Sequence, residues 1–506
     1  MTRPTITIIG GGACGVAAFI ELILKFKTIS YQGRVQINII ESRKEIGQGL
    51  AFGTNQPGHI LNTQADLMGI FAFEPAHYSD WLQKNENEKL QEIKGAEEMK
   101  EAHSTRRLYG HYLQEQFQNF CKIGLAAEYE INLINDEAEN ITRNNDQWQV
   151  WNRSGSRILT DYIILAPGTP KPNNYADLEH TPGYIDFPWP SDPILQIPKQ
   201  AAIGILGSSL SAIDTIMTLA DNQHKGKITL FSPDGLLPRV QPQEDSEYER
   251  QYLTLENIHK IKRKNLRPPK VKELFDLFKK EVENFTKKSI NWEETGRMGK
   301  PAHDLLLQDI ALAEAGGDAF INILYSLRPD ASTIWGWLSV EEKLKFMRWL
   351  GLYWNINRHA MPLTNAYRLK KIFNAGQLKV QPELKEVKFD AETKRFRLRC
   401  AENGYDEVSY LINATGPANK IEQMRSTLIQ NLNEQGLIEA YKAGGILVKP
   451  HNMQLISSKA ETKNIYAAGH ICNGILLDVN AVWFNVQTIE KMCGDIIQKI
   501  TSGARS

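Results

Sequence analysis

Short β-branched runs alternate with longer apolar stretches of helical spacing along much of the chain. Every residue of the run Thr5–Ile9 is β-branched, which is typical of a buried parallel strand, and helix formers follow over Ala17–Leu24. A second apolar run ends at Glu41, and the order of strand, glycine turn and helix recurs around Gly207. Strands that alternate with helices predict the α/β class, with parallel sheets covered by helices.

Two groups of three short strands interrupt this pattern and indicate a duplication. The first group ends in the buried run Ile163–Ala166, and the second ends in Asn413–Gly416. Each group is typical of a small antiparallel meander attached to a nucleotide-binding unit, so we expect two related halves. The sequence therefore predicts two Rossmann-like dinucleotide-binding domains with β-meanders and a helical insertion. The predicted division is a first domain of residues 1–198 and 376–506, a second domain of residues 199–375, and an insertion at about 244–350.

The first glycine turn follows the first strand and opens a helix, as a dinucleotide site requires. Gly10, Gly12 and Gly15 form the pattern G-x-G-x-x-G. Gly10 would permit the tight turn, Gly12 the close approach of a pyrophosphate, and Gly15 the packing of helix on strand. Glu41 ends the next strand, where a carboxylate can accept hydrogen bonds from a ribose. We predict a nucleotide site here, and the alternative is an ordinary βαβ turn.

The second glycine turn departs from the fingerprint at its central position. Gly207, Ser208 and Ser209 lie between a predicted strand and a predicted helix, and Ser209 stands where a glycine is usual. The serine side chain narrows the space through which a phosphate group approaches the backbone, but its hydroxyl could bond a phosphate oxygen. No basic residue occurs at 232–234, where a 2′-phosphate is usually bound, so Arg239 is the candidate for that contact. We predict a nicotinamide site for NADPH, with NADH as the alternative.

Composition narrows the classes of partner. The chain has 506 residues with a formal net charge of zero, which does not favour nucleic acid as a partner of the whole protein. No stretch approaches the ~20 apolar residues of a membrane span, and Ile6–Leu24 lacks the features of a signal peptide. The five cysteines are dispersed and form no C-x-x-C pair, and we find no metal-ligand set. We therefore expect a cytoplasmic protein with reduced thiols and no metal.

The predicted insertion carries a stripe of apolar residues at helical spacing. The stripe follows Pro268 and Pro269, and its simplest interpretation is a helix that packs against a neighbouring helix. Its members are Val271, Leu274, Phe275, Phe278, Val282 and Phe285.

Taken together, these motifs resemble the FAD/NAD(P)-binding flavoproteins with two dinucleotide-binding domains. They are similar in particular to a branch that includes aspartate N-hydroxylases, which form nitrosuccinate. In this chain Thr105 replaces the proline of one branch motif, and Ser209 replaces a glycine. The motifs that carry the resemblance, besides the first glycine turn, are Gly47–Phe52, His59–Asn62, Thr105–Leu113, Gly207–Asp214 and Tyr353–His359.

The resemblance implies where each cofactor would bind. It places FAD in the first domain and NADPH in the second. The residues that it implies for FAD are Gly10, Gly12, Gly15, Glu41, Gly47, Gly49, Asn62, Gly469 and Asp478, and those for NAD(P) are Gly207, Ser208, Ser209 and Arg239.

The resemblance also implies a reaction. It indicates an FAD-dependent, NAD(P)H-consuming monooxygenase that N-hydroxylates a small amino acid or polar amine with O₂, through a flavin hydroperoxide. Arg106 and Arg358 are the candidates for binding a substrate carboxylate, because a guanidinium suits bidentate binding, with His359 beside them. Asn62 and His59 are the catalytic candidates. The alternative is that both arginines are structural and pair with carboxylates or carbonyls.

Two other functions remain open from the sequence. The first is a flavin-dependent reductase or dehydrogenase that passes hydride from NAD(P)H to an acceptor without oxygenation. The second is a flavin-binding scaffold or sensor. The sequence also allows a homo-oligomer.

Overall fold

The first sheet has five parallel strands. The computed structural model describes residues 3–84, 93–94, 103–243, 248–401 and 404–503. All five residues of the central strand Thr5–Ile9 are buried, as its β-branched sequence predicts. Helices Ala13–Thr28, Arg106–Ala126 and Val482–Gly503 pack together beside this sheet. The strand order is Ile465–Ala467, Tyr162–Leu165, Thr5–Ile9, Gln36–Ile40 and Glu130–Ile134.

The second sheet repeats the design of the first. It is also parallel and five-stranded, and its central strand Ile203–Leu206 leads into the second glycine turn and the helix Leu210–Asp221. The predicted α/β class and the duplication into two Rossmann-like units are confirmed. The strand order is Tyr184–Ile185, Tyr410–Asn413, Ile203–Leu206, Ile228–Phe231 and Leu378–Gln381.

Each half carries the predicted antiparallel meander. The first consists of Ala138–Asn144, Gln147–Asn152 and Arg157–Thr160, and the second of Leu384–Asp390, Arg395–Cys400 and Tyr405–Val408.

The structure corrects one predicted domain boundary. The sequence pattern predicts the return to the first domain at residue 376, yet Leu378–Gln381 and Tyr410–Asn413 pair within the second sheet. The chain adds a strand to the first sheet only at Ile465–Ala467. The last strands of the second unit lie far from its glycine turn in the sequence, so their membership depends on pairing that the local pattern does not encode.

The predicted helical insertion is present between the strands Ile228–Phe231 and Leu378–Gln381. Residues 244–247, at its predicted start, lie outside the described residues. Trp335 of the insertion donates its indole N–H to the Gly474 carbonyl at 2.8 Å, which fixes the insertion to the C-terminal loop. The helices of this region are Leu255–Asn265, Val271–Thr286, Ala302–Glu314, Ala319–Ser326, Ala331–Trp337, Val340–Trp349, Gly351–Arg358 and Leu363–Asn374.

Shorter elements complete the fold. They include two small antiparallel pairs, Ile93–Lys94 with His103–Ser104 and Lys171–Pro172 with Met424–Arg425. Among the described helices, none combines the length and the apolar character that a membrane span needs. The remaining helices are Gly49–Phe52, His77–Lys84, Asp192–Leu195 and Thr427–Glu434, with 3₁₀ turns at Ala65–Leu67, Ala176–Leu178, Ile421–Gln423 and His470–Cys472.

A buried carboxylate holds the segment that leads into the insertion. Glu281 is fully buried and accepts backbone N–H bonds from Gln251, Tyr252 and Leu253. The Tyr248 hydroxyl adds a fourth donor at 2.6 Å. Burial alone would raise the pKa of Glu281, but these hydrogen bonds hold it below its ordinary value. The carboxylate is therefore ionised in the folded protein at neutral pH.

We expect Glu281→Gln to lower the free energy of unfolding at pH 7 by about 2–3 kcal/mol, because the amide cannot accept all four bonds through a charged group. The folded pKa is lowered, so the charge stabilises the fold above the unfolded pKa, and this stabilisation is lost as the pH falls through the folded pKa. Urea unfolding at pH 7 and near pH 3 would measure both effects. The exposed Glu293→Gln is the control, and an equal loss in both variants would contradict the prediction.

Candidate functional site

The first glycine turn is shaped by very close backbone contacts. The Gly10 N–H donates to the Ile40 carbonyl at 2.8 Å, and Gly10 has φ +105°. A Cβ on Gly10 would lie 2.0 Å from the Ala166 carbonyl oxygen, and one on Gly15 would lie 1.9 Å from the Gly10 carbonyl oxygen. Neither position has room for a side chain, so the helix can begin close to the strand only with glycine at both.

Gly12 differs from its neighbours because the space beside it is open. It is the N-cap of the helix Ala13–Thr28, and no side chain caps that helix end. A Cβ there would meet only Gly49 Cα, at 3.6 Å. An uncapped helix N-terminus offers N–H groups and the positive end of the helix dipole, and both suit a pyrophosphate. The turn thus fits the phosphates of FAD.

Glu41 lies directly beside this turn. Its carboxylate accepts the Gly11 N–H at 2.7 Å through one oxygen and the Arg43 N–H at 2.9 Å through the other. A carboxylate at this position faces the edge of the nucleotide site where a ribose is bound in dinucleotide folds.

The Gly47–Asn62 loop closes over the turn. The Gly47 N–H donates to the Gly11 carbonyl at 2.7 Å, and a Cβ on Gly49 would approach Gly12 Cα to 3.1 Å. The loop contains the short helix Gly49–Phe52 but is otherwise irregular, as the sequence predicts. The structure therefore brings Gly47 and Gly49 against the first turn.

The C-terminal segment approaches the same turn from the other side. Gly469 has φ +79°, and a Cβ on it would lie 3.0 Å from Cys14 Sγ. Asp478 is buried a few residues further on, and the last helix begins at Val482 rather than at 478–481 as predicted. The structure thus brings Glu41, Gly47, Gly49 and Gly469 to the first turn with Gly10, Gly12 and Gly15.

The second glycine turn repeats the backbone conformation of the first at its first and central positions. The Gly207 N–H donates to the Phe231 carbonyl at 2.7 Å, and its φ is also +105°. A Cβ on Gly207 would lie 2.5 Å from the Ala414 carbonyl oxygen, which is the counterpart of Ala166. Ser209 has φ −89° and ψ −167°, close to the −75° and −167° of Gly12. The serine therefore adopts the required backbone without strain.

The two serines of this turn have different surroundings. Ser208 is buried, and its hydroxyl donates to the Leu236 carbonyl at 2.7 Å. Ser209 is exposed, and its side chain does not cap the helix Leu210–Asp221. The hydroxyl of Ser209 is thus the one available to a phosphate at this helix N-terminus.

Arg239 does not lie where a 2′-phosphate contact needs it. It is buried, and its guanidinium donates to Asp309 at 3.1 Å and to Asp318 at 3.0 and 2.9 Å. It also donates to Asn357 Oδ1 at 3.1 Å. A phosphate contact would require this buried network to break, so the predicted role of Arg239 has no support from the geometry.

His59 and Arg106 lie at the junction of the two domains. His59 is almost fully buried and bonds to Thr54 and Thr218, both at 2.8 Å. Burial and the Arg106 charge lower its pKa to about 3, so the imidazole is neutral. These contacts hold the Gly47–Asn62 loop on the helix Leu210–Asp221, and they give His59 a positioning role rather than an acid–base one.

Arg106 pairs with a buried carboxylate of the other domain. Its Nη2 donates to Asp214 Oδ2 at 2.8 Å, and its guanidinium lies 5.4 Å from the centre of the Trp189 ring. Burial raises the pKa of Asp214 to about 6, against the opposing effect of Arg106. The pair joins residues 108 positions apart, and the Arg106 Nε–H is buried without a hydrogen-bond partner among the described residues. Asp214 was part of a sequence motif, but the motif carried no signal of its partner.

Arg358, His359 and Asp478 form a second buried group. Arg358 Nη2 lies 3.4 Å from Asp478 Oδ2, and the side chains are only 7% and 3% exposed. The Arg358 Nε–H is buried without a hydrogen-bond partner among the described residues. Burial and the neighbouring Arg358 charge lower the pKa of His359. Arg358 thus keeps a donor for a further acceptor, although one of its amino groups is already paired.

Gln241 links Asn62 to this group, and sequence reasoning missed it. Its Nε2 donates to the carbonyls of Asn62, at 2.6 Å, and Ala360, at 2.7 Å. Gln241 lies in an irregular segment with no recognisable motif. Only its burial between two distant segments reveals it.

Two glycine turns of matching geometry, each at the carboxyl edge of a parallel sheet, define a protein with two dinucleotide-binding domains. Residues 7–170 match the family model for FAD-NAD(P)-binding. A search of curated proteins finds no match.

The chain is also similar in structure to solved flavin enzymes. One is the ornithine N-hydroxylase of Kutzneria sp. 744, solved with reduced FAD, NADP⁺ and L-ornithine, at 13% identity and TM-score 0.57 over 99% of this chain and 100% of that chain. Another is the L-lysine 6-monooxygenase of Pseudomonas syringae, at 13% identity and TM-score 0.53 over 98% and 99%. A third is the FAD-bound cadaverine monooxygenase of Erwinia amylovora, at 11% identity and TM-score 0.53 over 98% and 95%.

At these identities the structural likeness establishes the fold. Together with the family match over residues 7–170, it confirms the predicted resemblance to FAD/NAD(P)-binding flavoproteins with two dinucleotide-binding domains. The predicted class of flavin-dependent oxidoreductase and the prediction of FAD and a nicotinamide nucleotide as cofactors are confirmed with it.

Two substitutions in the first turn separate folding from cofactor binding. We expect Gly15→Ala to lower the free energy of unfolding of the FAD-free protein by about 2–4 kcal/mol, because its Cβ would overlap the Gly10 carbonyl oxygen. We expect Gly12→Ala to change that stability by less than about 1 kcal/mol and to weaken FAD binding at least about tenfold, because the methyl group would fill the approach of the pyrophosphate. Urea unfolding and FAD titration measure the two effects. Full FAD affinity in Gly12→Ala would contradict this location of the phosphates.

Proposed function

We propose that this protein is an NAD(P)H-dependent flavin monooxygenase that N-hydroxylates an amine-bearing substrate, with an amino acid as the favoured class. The observation that carries the proposal is the buried Arg358–Asp478 pair, because Arg358 retains an unpaired Nε–H. Asp478 belongs to the C-terminal segment that approaches the first turn at Gly469. The solved ornithine, lysine and cadaverine enzymes of the same fold support the kind of reaction.

The residues of this chain would contribute binding and orientation. The first turn and Glu41 would hold FAD, and the second turn with Ser209 would hold the nicotinamide nucleotide. Bound FAD would take up hydride from the nicotinamide and activate O₂ for transfer of one oxygen atom to the amine. Arg358 would orient the substrate through its carboxylate, and burial of the site would limit access of water.

The charge arrangement also suits an amino acid. A zwitterion carries one carboxylate and one ammonium group, and the pair offers a guanidinium and a carboxylate in the same buried place. The separation of 3.4 Å between Arg358 Nη2 and Asp478 Oδ2 is long for a charge-assisted hydrogen bond. A substrate could therefore engage both charges at modest cost.

The nicotinamide half of the proposal is tested by anaerobic reduction of the FAD-loaded protein. We expect one of NADH and NADPH to bleach the flavin absorbance rapidly in a stopped-flow trace. The Ser209→Gly variant should also be reduced, because Ser209 already has the backbone conformation of Gly12. If neither nucleotide reduced the flavin, the second turn would not serve hydride transfer.

The oxygenase half is tested by product stoichiometry in air. We expect one hydroxylated amine for each NAD(P)H consumed in the presence of substrate. Consumption that yields only hydrogen peroxide or a reduced acceptor would instead favour the reductase alternative.

The role of Arg358 is tested by substitution. We expect Arg358→Ala to lower kcat/KM for the substrate about 10- to 100-fold, mainly through KM, because a charge-assisted contact to the carboxylate is lost. Flavin content and NAD(P)H oxidation without substrate are measured in parallel, because the substitution leaves the buried Asp478 carboxylate without its partner. Arg358→Lys is the matched control, since it keeps the charge but lacks Nε, and we expect an intermediate loss. Unchanged KM and turnover in Arg358→Ala would exclude the carboxylate clamp.

A further inference from the structure

The helical insertion surrounds a largely apolar cavity of about 500 Å³ that is partly open to solvent. Ligand pockets in proteins commonly have volumes of this order, whereas well-packed cores leave few voids larger than a water molecule. Aromatic rings form much of its wall, among them Phe275, Phe278, Trp292, Phe346, Trp349 and Trp354. A smaller part of the wall is charged and contains Arg239, Glu294, Arg297, Lys300 and Asp318.

The apolar stripe of the helix Val271–Thr286 explains part of this wall. Val271 and Val282 are fully buried, as packing against a neighbouring helix requires. Val271, Leu274, Phe275 and Phe278 also line the cavity. One face of this helix therefore packs against its neighbours and also forms a side of the cavity.

The cavity lies next to the residues that carry the proposed substrate charges. Trp354 and Asn357 line it and belong to the same helix as Arg358, whose guanidinium lies 5.8 Å from the centre of the Trp354 ring. Leu477 also lines it, and the next residue is Asp478. The buried pair of Arg358 and Asp478 thus lies immediately next to the cavity wall.

A second segment of the chain links the cavity wall to Asn62, the predicted flavin contact. Arg239 lines the cavity, and its backbone bonds to Ile356 and Met361. Gln241, two residues further along, donates to the Asn62 carbonyl. Two separate segments therefore run from the cavity wall to the predicted flavin side of the site.

We infer that the substrate is an α-amino acid with a large apolar side chain, of aromatic or long aliphatic type. This inference rests on the proposed function. The α-carboxylate would take the free Nε–H of Arg358, the amino group would lie near Asp478, and the side chain would fill the aromatic cavity. A small polar amino acid, the class that the sequence resemblance implied, would leave most of the aromatic wall without a contact.

Calorimetric titration of the FAD-loaded protein with single amino acids tests the inference. We expect L-phenylalanine to bind at least about tenfold more tightly than L-aspartate, because the ring is transferred from water to an apolar wall. Phenethylamine, which lacks the carboxylate, and 3-phenylpropionate, which lacks the amine, should each bind more weakly than L-phenylalanine. Equal or tighter binding of L-aspartate would overturn the inference.

A cavity-filling variant supplies a second test. Leu274 lines the cavity, and we expect Leu274→Trp to weaken binding of L-phenylalanine at least about tenfold while flavin content stays unchanged. Lys280→Trp, on an exposed position of the same helix, is the matched control and should bind normally. Unchanged affinity in Leu274→Trp would contradict the location of the side chain. If Leu274→Trp did not fold, the ligand series on the unaltered protein would still decide.

These measurements separate the inference from the proposed function. Tight binding of L-phenylalanine without any hydroxylated product would support the cavity and refute the monooxygenase. Hydroxylation of a small polar amine, with no binding of L-phenylalanine, would support the monooxygenase and refute the cavity.

Discussion

At each glycine turn the backbone passes very close to a carbonyl group at the end of the neighbouring strand, and the rest of the structure depends on this contact. In both halves a glycine with φ +105° lies directly over the carbonyl of an alanine that ends a neighbouring strand, Ala166 in the first half and Ala414 in the second. This contact places the N-terminus of the following helix at the carboxyl edge of the sheet. The free N–H groups of the helix can bind an anionic nucleotide there. Any side chain on Gly10 or Gly207 would push the helix away.

The junction between the halves contains charged side chains that pair across it. Arg106 meets Asp214, and the Gly58 N–H donates to Asp221 at 2.8 Å. Buried pairs of this kind add little net stability, but they penalise any arrangement that leaves one partner alone. Their effect is therefore geometric: they fix the Gly47–Asn62 loop, which lies over the first turn, against the helix that starts at the second turn. The two nucleotide sites are positioned relative to each other by the same contacts.

The sequence predicts the local units well because their signals are local. A β-branched run, a glycine turn and a helix follow one another directly along the chain, so Gly10, Gly12, Gly15 and Glu41 can be assigned from the residue pattern alone. The same pattern cannot assign Arg239, because its partners Asp309 and Asp318 come from the insertion, 70 and 79 positions away. The domain boundary near 376 failed for the same reason. Pairing between strands that are distant in the sequence determines this boundary. The periodicity of apolar residues indicates only which face of an element is apolar.

The insertion shows what periodicity leaves out. The stripe from Val271 to Phe285 identifies an apolar helix face, but the sequence does not tell whether another helix or an empty space lies opposite. In the structure Val271 and Val282 are fully buried, and Val271, Phe275 and Phe278 form part of the wall of a cavity. Trp335 ties the same region to the C-terminal loop that carries Asp478. In the proposed function, the shared fold would position the cofactors, whereas this insertion would supply the surface that selects a substrate.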